Sequence, residues 1–129
     1  MIMDRQQIGK DAEKQALAYL KKQKLKLISH NFSCRFGEID LIMTDHEQLV
    51  FIEVRQRSHA HWGGASHSVD KRKQQKLIKT AAYFLSRNSR YNNTTCRFDV
   101  IAFEANTSDR SGDSCPIWYK DAFRPEATF

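Results

Sequence analysis

The chain has 129 residues, a hydrophobic fraction of 40%, and 21 Lys plus Arg against 15 Asp plus Glu, a net charge of +6. One domain is expected, residues 1–129 with a core over about 9–123, and the basic balance favours a polyanionic partner, nucleic acid above all. No apolar run is long enough to span a bilayer, residues 1–10 lack the apolar stretch of a secretion signal, and Cys34, Cys96 and Cys115 are widely spaced with no CxxC pair, so no membrane partner, disulfide framework or zinc site is indicated and a cytoplasmic location is expected.

In chain order, Lys10 to Gln23 reads as a helix with Ala12, Ala16 and Leu20 on one face and Glu13 at its edge. Leu25 to Phe32 reads as a strand, Ser33 to Phe36 as a turn, and Gly37 to Met43 as a second strand. Asp45 to Gln48 turns the chain into a third strand, Leu49 to Arg55, which completes an antiparallel meander. Ser58 to His67 is a loop rich in His, Gly and Ser. Val69 to Asn88 reads as a second helix with the apolar stripe Leu77, Ala81, Phe84 and Leu85, and with Lys73 one turn ahead on that stripe. Cys96 to Glu104 is apolar on both faces, as suits a strand covered on both sides. Ala105 to Ser114 is a polar loop, Ile117 to Tyr119 an edge strand, Asp121 to Phe123 a helical turn and Pro125 to Phe129 a tail. The expected fold class is α/β: a central mixed sheet, the three-strand meander plus further strands, flanked by helices.

Acids within apolar strands are costly to bury, and holding a cation offsets that cost. Strand alternation puts Glu38, Asp40 and Ile42 on one face, and Phe51, Glu53, Arg55 and Arg57 on one face of the next strand. An in-register hairpin then projects Asp40 and Glu53 to the same side. Two such carboxylates repel unless a cation lies between them, and a hard ion such as Mg2+ or Mn2+ prefers oxygen ligands. The backbone carbonyl of Val54 is a candidate further ligand, and Arg55 is placed to meet a phosphate oxygen.

GEIDLI, then FIEVRQR, a glycine loop, a helix carrying Lys73, and RFDVIAF, in this order, resemble the bacterial YraN family. That family is placed in the restriction-endonuclease-like PD-(D/E)XK nuclease superfamily, near the Holliday-junction resolvases. The resemblance covers about residues 9–123. It implies a restriction-endonuclease-like sandwich and a magnesium-dependent endonuclease acting on DNA, branched DNA included. It also implies that Asp40 and Glu53 hold the metal, that Glu13 leans toward the site from the first helix, and that Glu38 is an outer ligand. One departure stands out: the motif lysine is Arg55 here, and arginine stays protonated. Either water activation proceeds without a lysine, or Lys73 takes the place, or catalysis is weakened. A nucleic-acid-binding protein that keeps the fold and cleaves poorly is the alternative function, and a basic adaptor on an acidic protein is a third. Resolvase-like action needs two sites, which leaves a homodimer open.

Each of these residues has a plainer reading. Asp40 and Glu53 can pair with Arg55 and Arg35 to support the fold alone. Glu13 can be an acid favoured near a helix N-terminus, Glu38 a solvated strand residue, and Lys73 a stem lying on apolar surface with its charge in water. Lys71, Arg72, Lys76 and Lys79 form a basic helix face suited to a phosphate backbone. Trp62 is either a stacking platform for an unpaired base or an anchor for its loop, and His59, His61 and His67 lack the spacing of a zinc site.

Overall fold

The computed structural model describes residues 5–57, 69–104 and 116–125. Its elements are α1 (Arg5–Lys22), β1 (Lys26–Cys34), β2 (Gly37–Asp45), β3 (Gln48–Arg57), α2 (Lys71–Arg87), a 3-10 turn (Ser89–Tyr91), β4 (Cys96–Glu104) and β5 (Ile117–Phe123). The five strands form one sheet in the order β1-β2-β3-β4-β5. β1, β2 and β3 make the antiparallel meander. β4 runs parallel to β3, with α2 between them in the chain, and β5 is antiparallel to β4.

Each helix covers one face. On one side Leu77, Ala81 and Phe84 of α2 pack on Ile42, Leu49, Phe51, Phe98 and Val100. On the other, Ala12, Ala16 and Leu20 of α1 pack on Leu41, Met43, Val50, Ile52, Ile101 and Phe103. β3 and β4 supply alternate residues to both clusters, which is why they read as nearly continuous apolar runs. This is the expected α/β sandwich.

The helix ends follow from local chemistry. α1 closes with Leu25 N–H donating to Leu20 C=O at 3.1 Å and Lys24 N–H to Lys21 C=O at 2.9 Å. Lys24 takes the left-handed conformation, φ 75°, and Leu20 and Leu25 are buried together. This is a Schellman closure with lysine where glycine is usual. α2 begins after Asp70, whose side chain accepts the Lys73 N–H at 2.8 Å, a cap that satisfies one orphan donor of the first turn.

Two features depart from the expected reading. The helical turn at Asp121 to Phe123 is instead the end of β5. Asp121 bends the strand through φ 55° while its N–H donates to Asp99, and Phe123 stacks on Phe98 at 4.9 Å. Those two anchors hold the segment on the sheet. The second departure lies in the β1–β2 hairpin. Ile39 and Ile42 join the same cluster although three residues apart, while Leu41 and Met43 join the other. Strict alternation therefore slips at Asp40. Across from it, between the paired positions His30↔Leu41 and Phe32↔Ile39, Asn31 adopts φ 53°, a conformation asparagine tolerates better than most residues. The loop readings at Ser58–His67 and Ala105–Ser114 lie outside the described residues.

Candidate metal and nucleic-acid site

β2 and β3 pair with Leu41 facing Ile52 and Ile42 facing Phe51, and the same register carried one place further sets Asp40 opposite Glu53. Their carboxyl groups are in hydrogen-bond contact. Asp40 Oδ2 also accepts the N–H of Val54 at 2.8 Å, so the main chain of Val54 lies at the site. From α1, Glu13 makes a side-chain hydrogen bond to Asp40. Because α1 begins at Arg5, Glu13 is in its third turn, too far from the helix start for the dipole to account for it.

Asn31 bridges the outer acids. With its amide nitrogen turned toward them, it donates to Glu13 Oε2 at 3.0 Å and to Glu38 Oε1 at 3.3 Å. From the first turn of α2, Lys73 Nζ reaches Glu53 Oε2 at 3.2 Å; the glutamate side chain is 11% exposed and the lysine 47%. The plain reading of Lys73 as a stem with its charge in water gives way to an ion pair with a nearly buried acid. The cap on Asp70 fixes the backbone of that same lysine.

This crowding has an electrostatic consequence. Burial, then the hydrogen bond and charge of Glu53, push Asp40 up to about 8, against the pull of the Val54 N–H. Burial and the charge of Asp40 also raise Glu13, and Asn31 opposes that rise. A shared proton therefore relieves the repulsion between Asp40 and Glu53 near neutral pH. A divalent cation would relieve it equally, and carboxylate oxygens are the donors a hard ion takes. Among the described residues no three His, Cys, Asp or Glu side chains already form a cage. With two carboxylates as donors, most positions around a magnesium ion would fall to water, which that ion accepts.

Arg55 lies two places beyond Glu53 on β3, half-buried and paired with Ala102. Lys71, Arg72, Lys76 and Lys79 are exposed on α2. Arg57 closes β3; its side chain and all of Trp62, His59, His61 and His67 lie outside the described residues. Clefts of about 240 Å3, beside Lys71, Ile78 and Arg124, and about 420 Å3, beside Arg97 and Phe123, are lined by none of the acids at the cluster. Asn31 was not among the expected site residues. The one signal for it is an asparagine, a residue prone to left-handed backbone, in the middle of an otherwise extended run.

Comparison with known proteins places the chain. Residues 12–103 match the model of a family described as uncharacterised protein family UPF0102. A UPF0102 protein of Pseudomonas fluorescens strain Pf0-1 is 48% identical over 117 residues, covering 91% of this chain and 92% of its own. A UPF0102 protein of Alcanivorax borkumensis is 46% identical over 126 residues, covering 98% of each chain. One from Stutzerimonas stutzeri is 52% identical over 100 residues, covering 78% of this chain and 83% of its own. The chain therefore belongs to UPF0102, the YraN family that its motifs resemble.

Proposed function

We propose that this protein is a metal-dependent endonuclease hydrolysing phosphodiester bonds in DNA, branched DNA included. The observation that carries the reading is the half-buried Asp40–Glu53 carboxylate pair, with Lys73 of α2 on Glu53 and Glu13 of α1 on Asp40. An Asp40 carboxyl pushed up by burial and by the facing Glu53 is poorly explained as a fold support. On a basic chain, it is well explained as a cation grip facing a polyanion.

Asp40 and Glu53 would hold Mg2+ or Mn2+, which when bound supplies charge to the phosphate and acidity to water. The chain's own residues do the rest. The Val54 N–H fixes one oxygen of Asp40. Lys73 orients Glu53 and presents an ammonium beside the site, where it partly answers the departure at Arg55. Arg55 itself, permanently charged, serves to neutralise a phosphate rather than to take a proton. Asn31 ties Glu13 and Glu38 together at the rim. The exposed cations of α2 contact the backbone of the polymer.

The test is incubation with branched, single-stranded and duplex DNA in the presence of magnesium or manganese. Cleavage by the parent and its loss in Asp40→Asn is the expected result; cleavage with neither metal, or equal cleavage by the variant, overturns the reading. The second reading, a DNA-binding protein of the same fold with weak or no catalysis, is favoured by Arg55 at the lysine position. DNA binding without cleavage would select it.

A further inference from the structure

A second cationic feature lies where the β1–β2 turn meets α2. The Arg35 guanidinium sits 4.8 Å over the Phe36 ring. The Arg87 guanidinium sits 5.3 Å from the Tyr83 ring centre, and its Nε and Nη2 donate to the Tyr83 hydroxyl at 3.2 and 3.0 Å. Phe36 and Tyr83 pack against each other with centroids 6.3 Å apart, so the two arginine–aromatic pairs form one unit. Phe32 ties it to the core, touching Tyr83 at 6.2 Å and Phe84 at 5.3 Å. The turn is close to the helix because Gly37 has no side chain: a Cβ there would meet Thr80 Oγ1 at 3.1 Å.

We propose that Arg35 and Arg87 form a phosphate clamp that holds DNA away from the carboxylate cluster; the proposal rests on the nucleic-acid reading above and adds where the polymer runs. Lys73, Lys76, Tyr83 and Arg87 recur at spacings of three, seven and four, one face of α2. That face starts at Glu53 and ends at the clamp, three to four turns or about 20 Å along the helix. The helix carries six basic and no acidic residues, so beyond Glu53 no side chain of α2 repels a phosphate backbone. Both arginines are exposed, yet stacking holds them in place, which lowers the entropy lost when they bind. Arg35 covers a face of Phe36 and Arg87 occupies the Tyr83 hydroxyl, which leaves these rings poor platforms for a base. The clamp therefore reads phosphates and is indifferent to sequence.

The experiment is fluorescence anisotropy with two 20-base-pair duplexes of unrelated sequence, in EDTA, between 50 and 200 mM salt. EDTA separates it from the cleavage test. Arg35→Gln with Arg87→Gln should weaken binding about tenfold or more on both duplexes and lower the salt slope by about 2, the loss of two phosphate contacts. Lys21→Gln with Lys22→Gln removes the same charge from the end of α1, on the other face of the sheet, and should change affinity less than about threefold. Arg35→Lys with Arg87→Lys keeps the charge and loses the stack; it should keep the salt slope and still bind more weakly. Equal losses from the two glutamine pairs, an unchanged slope, or a loss confined to one duplex overturns the clamp. Loss in the clamp variant without any cleavage by the parent retracts the nuclease reading and leaves the clamp. No binding by the parent retracts both.

Discussion

Two aspartates of the same sheet, Asp99 buried and Asp40 half-buried, have opposite neighbours. Asp99, on β4, is surrounded by donors: Arg97 Nε at 3.0 Å, Trp118 Nε1 at 2.9 Å and the Asp121 N–H at 2.8 Å. Arg97 continues to Gln48 at 2.8 Å and Asp45 at 3.0 Å, joining the β2–β3 turn to β4 and β5. Asp40, on β2, has one N–H and is otherwise faced by acids, Glu53 and Glu13 in contact and Glu38 nearby. A buried carboxylate answered by donors is part of the frame. One answered by other carboxylates has a vacancy in its charge balance that a proton or a cation must fill.

Substitution should separate the two. Asp40→Asn is expected to lower metal-dependent cleavage about a thousandfold, measured as single-turnover rates, without lowering the melting temperature. Asp99→Ala should do the reverse. It leaves the Trp118 and Asp121 N–H groups and one edge of the Arg97 guanidinium without their acceptor, a loss of about 3 kcal/mol, read as a fall in melting temperature of about 10 °C. If Asp99→Ala melts with the parent, the frame reading of that network is wrong.

The pH dependence of stability sharpens the contrast. Asp40 ionises at about 3.9 in the unfolded chain and at about 8 in the folded one. Between those values the folded state holds the extra proton, so this group's contribution is complete below about pH 4 and is lost as pH rises to about 8. In metal-free buffer Asp40→Asn should melt several degrees above the parent at pH 8.5, with the gap narrowing toward pH 5. A constant gap would place the proton elsewhere. The smallest effect is expected from Lys73→Met. Its ammonium is half exposed, so stability should change by less than about 1 kcal/mol, while cleavage falls about tenfold as Glu53 loses its orienting partner. An unchanged rate would return Lys73 to an ordinary surface lysine.

The order of elements was legible in the sequence because β3 and β4 are apolar on both faces and α2 keeps a clean Leu77, Ala81, Phe84 stripe. The opposition of Asp40 and Glu53 was legible because a two-residue turn after Asp45 fixes the hairpin register. The slip at Asn31 and Asp40 was not, since period-two alternation cannot register one left-handed residue. Nor was the β5 bend at Asp121, whose hold on Asp99 spans distant strands. Nor was the role of Asp99, which depends on Arg97 two places back along β4 and on Trp118 and Asp121 of β5. Lys73 was legible as an oddity on an apolar stripe, while its partner Glu53 follows only from the packing of α2 against the sheet.

The most direct measurement is calorimetric titration of manganese into the protein without DNA, at pH 7 and pH 8.5, for the parent, Asp40→Asn and Glu53→Gln. An ion that displaces the shared proton should bind the parent several-fold more tightly at pH 8.5 than at pH 7, and at least about tenfold more weakly in either variant. Equal manganese affinity in the parent and Asp40→Asn would contradict the account.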